Sequence, residues 1–150
     1  MSNRVFAAYG AGLNRAEMAK HCPTAKPIGT AELKNFKLAF RGGNANAIAT
    51  IEKTKGSGVP VLLWEITPQD ETALARWIGV PELYRKDTIK IRLSAAAMDV
   101  FVYILIGNKP SNRPSAVYYS TLLEGYKAAG FDIDILKTAA RGSTADEPDS

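Results

Sequence analysis

One cysteine, Cys22, and one histidine, His21, are all that this chain of 150 residues offers for thiol or imidazole chemistry. A lone cysteine cannot close an internal disulfide. Two such residues side by side do not make a metal ligand set, so neither a metal nor another cofactor is expected. Uncharged apolar runs stay well short of the ~18 residues that would span a membrane. The opening residues lack a charged segment followed by a long apolar stretch. These absences point to the cytoplasm and to no membrane partner. Internal repeats are missing too.

A composition of 46% hydrophobic and 23% charged residues suits one domain with a single buried core. The expected boundaries are a folded unit over residues 1–141 and a disordered acidic tail over 142–150. The formal charge of +4 becomes +7 once the tail carboxylates Asp146, Glu147 and Asp149 are set aside. A basic body can attract anions or nucleic acid. However, the lysines fall singly, as at Lys34, Lys37, Lys53 and Lys55, without the interleaved aromatic platforms that stack bases. Solvated faces account for them, and nucleic acid is not expected as a partner.

Residues 5–9 read as a short apolar strand running into a glycine turn. Asn14 caps a helix over 15–21 that Pro23 stops. Residues 35–41 alternate, with Phe36, Leu38 and Phe40 on one face, as in a half-buried strand. Residues 48–52 and 59–66 are rich in β-formers, and the glycines of 55–58 suggest a hairpin turn between them. Thr67-Pro68-Gln69-Asp70 starts a helix that should reach about Trp77, with Thr67 as N-cap and Pro68 in the first helical position. Residues 88–93 and 98–106 look like central strands of one sheet. Ser115 caps a helix carrying Val117, Tyr118, Leu122 and Tyr126, ended by Gly130, and a last short helix covers 133–140. Strands interrupted by helices in this way indicate a mixed α+β domain.

The chemistry begins at the glycine turn. A strand entering Tyr9-Gly10-Ala11-Gly12 lets backbone amides converge on one concavity, because glycine tolerates unusual φ and close approach of a ligand. A tight turn needed only to join strand to helix would look the same. Four further segments follow in order: His21-Cys22-Pro23-Thr24-Ala25, Phe40-Arg41-Gly42, Trp64-Glu65-Ile66-Thr67 and Tyr84-Arg85-Lys86, with Glu124-Gly125-Tyr126 closing the set. Over roughly residues 4–141 this ordered set resembles the gamma-glutamylcyclotransferase-like (AIG2-like) family. The resemblance implies a small mixed, barrel-like sheet flanked by helices.

It also implies a reaction. In the family the substrate's own α-amine attacks its γ-carbonyl, releasing an amine and 5-oxoproline, and folding of the substrate supplies proximity. The α-amine, with a pKa of about 7.7–8.0, must lose a proton and the leaving amine must gain one. One glutamate in the pattern Leu-Asp-x-x-Glu-Gly does both. Here the run is Leu74-Ala75-Arg76-Trp77-Ile78-Gly79, so Ile78 stands at the glutamate position and Ala75 at the aspartate. The family loop Tyr-Gly-Ser-Asn-Leu, whose amides hold the substrate carboxylate, becomes Tyr9-Gly10-Ala11-Gly12-Leu13. Backbone donors survive these replacements and side-chain donors do not. Removing a positioned acid-base group costs ~10²- to 10⁴-fold in rate, so no catalytic residue is assigned. Glu82 is the rescue candidate, set against an exposed loop carboxylate paired with Arg85. The remaining ligand-binding candidates by resemblance are Tyr84, Tyr118 and Arg41, against ordinary aromatic packing for the tyrosines. A favourable helix C-terminal position explains His21.

Three readings stay open at this point. The chain is a degenerate member of this fold that binds a small anionic or aromatic metabolite, or a cyclotransferase with a relocated base such as Glu82. The third is a protein whose surface serves a partner, including a second copy of itself.

Overall fold

The computed structural model describes residues 4–43, 45–93 and 95–145. Five strands make one sheet in the order β2-β3-β1-β5-β4. In sequence they are β1 (Arg4–Ala8), β2 (Lys26–Arg41), β3 (Ile48–Ile66), β4 (Tyr84–Leu93) and β5 (Ala96–Leu105). β1 pairs antiparallel with β3 and parallel with β5, so Phe6 lies between Trp64 and Phe101. The sheet curls until its two edges meet: a side chain on Gly29 of β2 would lie 3.1 Å from Leu93 of β4. The helices are α1 (Arg15–His21), α2 (Pro68–Ile78), α3 (Ala116–Ala129) and α4 (Ile133–Ala145). Mixed sheet and flanking helices agree with the α+β expectation.

The capping residues act as their chemistry dictates. Asn14 accepts from the Glu17 amide, Thr67 from Asp70 and Ser115 from Tyr118, each at 3.1 Å. Each satisfies a backbone donor that the first helical turn cannot. Leu13, Met18, Leu74, Leu122, Tyr126 and Leu136 are fully buried and form the core between helices and sheet.

Three expectations need correction. Residues 55–58 do not turn a hairpin: β3 runs through them, and its antiparallel partner is β2, from Lys26↔Glu65 to Arg41↔Ile48. Between the pairs Lys34↔Gly58 and Phe36↔Lys53 the register shifts, leaving residues 54–57 opposite Asn35. Gly56 takes φ +88 there and donates its amide to Asn35 Oδ1 at 3.0 Å. Glycine signals a bulge as readily as a turn, and residues 26–34 carried no clear alternation to reveal the partner strand. β4 lies at the sheet edge rather than the centre, which its exposed Arg85, Lys86, Thr88, Lys90 and Arg92 fit. α4 continues to Ala145, past the expected helix end at 140. The rest of the acidic tail lies outside the described residues.

Candidate functional site

β1 delivers Tyr9 to the end of the sheet, where a 3-10 turn, Ala11–Leu13, changes the chain's direction toward α1. The turn is clamped on three sides. Trp64 of β3 donates its indole N–H to the Gly12 carbonyl at 2.9 Å. Asn14 donates to the Thr121 carbonyl at 3.1 Å and to Glu124 at 2.6 Å, both on α3. Gly125 lets Leu13 press against that helix, because a Cβ on Gly125 would lie 2.7 Å from Leu13 Cβ and 2.8 Å from its backbone carbon. The first amides of such a turn have no carbonyl partner within it.

Beneath the turn lies a cavity of about 270 Å³, near the small end of ligand pockets (~300–1,000 Å³). Tyr9, Gly10, Ala11 and Gly12 form one part of its wall, and Tyr84, Tyr103 and Tyr118 supply three more rings. Phe6, Ile48, Ala49 and Leu83 fill the gaps, while Trp77 and Ile78 come from the last turn of α2. Gly79 fixes that end: it caps α2 in the left-handed region at φ 102, and its amide bonds the Ala75 carbonyl at 2.9 Å. A Cβ there would also crowd Leu83 at 3.2 Å. Behind the cavity, His21 stacks on Trp77 with ring centroids 4.2 Å apart.

No lining residue carries a charge or an imidazole. The tyrosine hydroxyls are held in place: Tyr9 donates to the Tyr103 carbonyl, Tyr84 donates to the Ala49 carbonyl at 2.6 Å, and Tyr118 accepts from the Ala49 amide at 3.0 Å. Burial pushes the Tyr9 and Tyr84 phenols far above their ordinary range, and neighbouring tyrosines add to the effect. Tyr118 is pushed up to about 12, burial outweighing the Ala49 amide that favours the anion. The tyrosines are therefore neutral at physiological pH and make poor bases.

The wall brings together seven of the residues expected to bind a ligand: Tyr9, Gly10, Ala11, Gly12, Ile78, Tyr84 and Tyr118. Leu13 and Arg41 lie elsewhere. Leu13 is fully buried in the core. Arg41 pairs with Glu52 and donates to the Lys109 carbonyl at 3.1 Å, because strand alternation turns it away from the buried face that holds Phe40. Glu82 is exposed and lines a different depression, with Arg4, Glu71 and Arg76. The expected Glu82–Arg85 pair is not formed; Arg85 bonds Asp87 at 3.3 Å. Sequence reading missed Phe6, Ile48, Ala49, Trp77, Leu83 and Tyr103. Trp77 and Leu83 flank Ile78 and Tyr84 closely enough to have been found, whereas Phe6 and Tyr103 reach the cavity only through the parallel pairing of β1 with β5.

Among the described residues, no group of three or more His, Cys, Asp or Glu is arranged to hold a metal. No described helix is long and apolar enough to cross a membrane.

No curated protein matches this sequence. Among solved structures, one described as a gamma-glutamyl cyclotransferase superimposes with a TM-score of 0.79 at 24% identity, covering 97% of this chain and 89% of its own. An uncharacterised protein from Homo sapiens gives 0.79 at 24% identity, with 99% and 90% covered. YkqA from Bacillus subtilis gives 0.80 at 16% identity, with 97% of this chain but 55% of the larger protein covered. At such identities the likeness establishes the fold. The family model for gamma-glutamyl cyclotransferase, AIG2-like, matches residues 6–122, a span that contains the turn, Ile78 and Tyr118, and the chain belongs to that family.

Proposed function

We propose that this chain is a catalytically degenerate member of its family that binds a small anionic or aromatic metabolite in the cavity under the glycine turn. The observation that carries the reading is the composition of the wall, where Ile78 stands with the Tyr9 to Gly12 turn and no carboxylate or imidazole joins them. Cyclisation of a gamma-glutamyl compound needs one group to take a proton from the α-amine and return it to the leaving amine. Isoleucine does neither, and buried phenols with raised pKa cannot accept a proton near neutrality. The clamped turn and the fixed tyrosines still make a preorganised binding site.

The test is release of 5-oxoproline from gamma-glutamyl dipeptides and amines, run beside melting with a panel of small metabolites. Turnover no faster than buffer, together with a ligand that raises the melting temperature by binding the native state, is the expected pair of results. Robust turnover abolished by Glu82→Gln would instead establish an active cyclotransferase-type enzyme with its base in the neighbouring depression.

A further inference from the structure

Donors and acceptors are unevenly spent around the cavity. The carbonyls of the turn are already engaged: Gly10 accepts from the Leu13 amide, Ala11 from Asn14 and Gly12 from the Trp64 indole. Across the cavity, the Ala49 and Tyr103 carbonyls accept the hydroxyls of Tyr84 and Tyr9. The donors are freer. The Ala11 and Gly12 amides head the turn with no described carbonyl to receive them. Tyr118 accepts from the Ala49 amide, which leaves its own hydrogen without a described acceptor, and Tyr103 brings a further hydroxyl to the wall.

This asymmetry treats the two charged ends of an amino acid differently. A carboxylate has acceptors only, and the wall offers it donors. An ammonium has three donors and no acceptor, yet no aspartate or glutamate lines the cavity among the described residues, and Ile78 adds an apolar side chain. Neutral oxygens and ring faces return only part of the cost of taking an ammonium out of water. The body of the ligand meets Phe6, Tyr9, Trp77 and Tyr84, which suit an apolar or aromatic group.

We infer that the cavity takes carboxylates that carry no α-ammonium group and discriminates against the matching α-amino acids. This rests on the binding reading above and narrows its ligand class.

Hydrocinnamate and phenylalanine test it, because they share carboxylate, chain and ring and differ by the α-ammonium alone. The cost of burying the carboxylate is common to both and cancels in the comparison. The chain has two tryptophans: Trp77 lines the cavity and Trp64 holds the turn through Gly12, so intrinsic fluorescence reports occupancy directly. At neutral pH, hydrocinnamate should give a saturable fluorescence change with a Kd about tenfold or more below that of phenylalanine, and should raise the melting temperature. The ratio should shrink as pH rises past the pKa of the amine and the ammonium loses its proton, a response that a simple clash with the extra group would not give. Ile78→Glu should narrow or invert the preference by supplying a counter-charge, and the wild-type comparison at the two pH values decides whether or not that variant folds. Phenylalanine binding as tightly as hydrocinnamate at neutral pH would overturn the inference, and so would a ratio indifferent to pH or no saturable binding of either. None of these outcomes touches the 5-oxoproline assay, which alone decides whether the site is degenerate.

Discussion

Gly125 has no room for a side chain, since an added Cβ would press on both the side chain and the backbone of Leu13. Gly125→Ala should cost about 1–3 kcal/mol through overpacking and lower the melting temperature by about 2–4 °C per kcal/mol, as differential scanning calorimetry would record. Gly12 is similarly confined: a Cβ there would approach Ala8 Cβ and Phe6 Cε2 at 3.0 Å. Restoring the asparagine found in the family loop would thus require the core beneath it to shift. The buried tyrosines separate by their partners. Tyr84→Phe leaves the Ala49 carbonyl without its donor and should destabilise by about 1–3 kcal/mol, whereas Tyr126 has a buried hydroxyl with no partner among the described residues. Tyr126→Phe should therefore be neutral or stabilising by up to about 1 kcal/mol, and urea unfolding of the two variants distinguishes them. Cys22 is 2% exposed, and burial together with the nearby Asp70 charge pushes its thiol up to about 11, so it packs as a small buried hydrophobe.

Elements whose signals are local were legible in the sequence. Asn14, Thr67 and Ser115 cap where their side chains dictate, because a cap depends on the next three residues only. Asn14 does more than cap: it also reaches Thr121 and Glu124 across α3. Asn14→Ala should exceed the ~1 kcal/mol typical of a lost cap, reaching about 2–3 kcal/mol as the half-buried α3 contacts go unmet, whereas Thr67→Ala should stay near the typical value. Paired chemical denaturation curves check the difference. Elements that depend on distant partners were misread. β2 extends to Lys26 only because β3 lies beside it, and Gly56 sits in a bulge that local sequence cannot distinguish from a hairpin. The site shows the same division. The turn and Ile78 were picked out by motif, Arg41 was misplaced although the alternation of Phe36, Leu38 and Phe40 already put it on the opposite face, and Phe6 and Tyr103 join the cavity only through sheet topology.

At the scale of the whole molecule, neutral phenols are built into both site and core. Tyr9, Tyr84, Tyr103, Tyr118 and Tyr126 all have pKa values raised chiefly by burial. A group whose folded pKa exceeds its unfolded value contributes its full stability below the unfolded value and loses it as pH climbs through the folded one. For Tyr118 that window runs from 10.0 to about 12. Stability should accordingly fall above pH ~10, with tyrosinate absorbance rising together with loss of the fold; early tyrosinate formation in a still-folded protein would contradict it. The curled sheet supplies the cavity and the end of α2 brings Ile78 to its wall; on the reading proposed above, that is the position where a proton carrier would be needed. A single-turnover assay at stoichiometric protein, comparing wild-type with Ile78→Glu on a gamma-glutamyl dipeptide, tests this most directly. The expected result is no 5-oxoproline above buffer from the wild-type chain and measurable product from Ile78→Glu once pH exceeds the raised pKa of the new carboxyl. Wild-type protein that matches or outpaces the variant would contradict the claim that this cavity lacks a proton carrier.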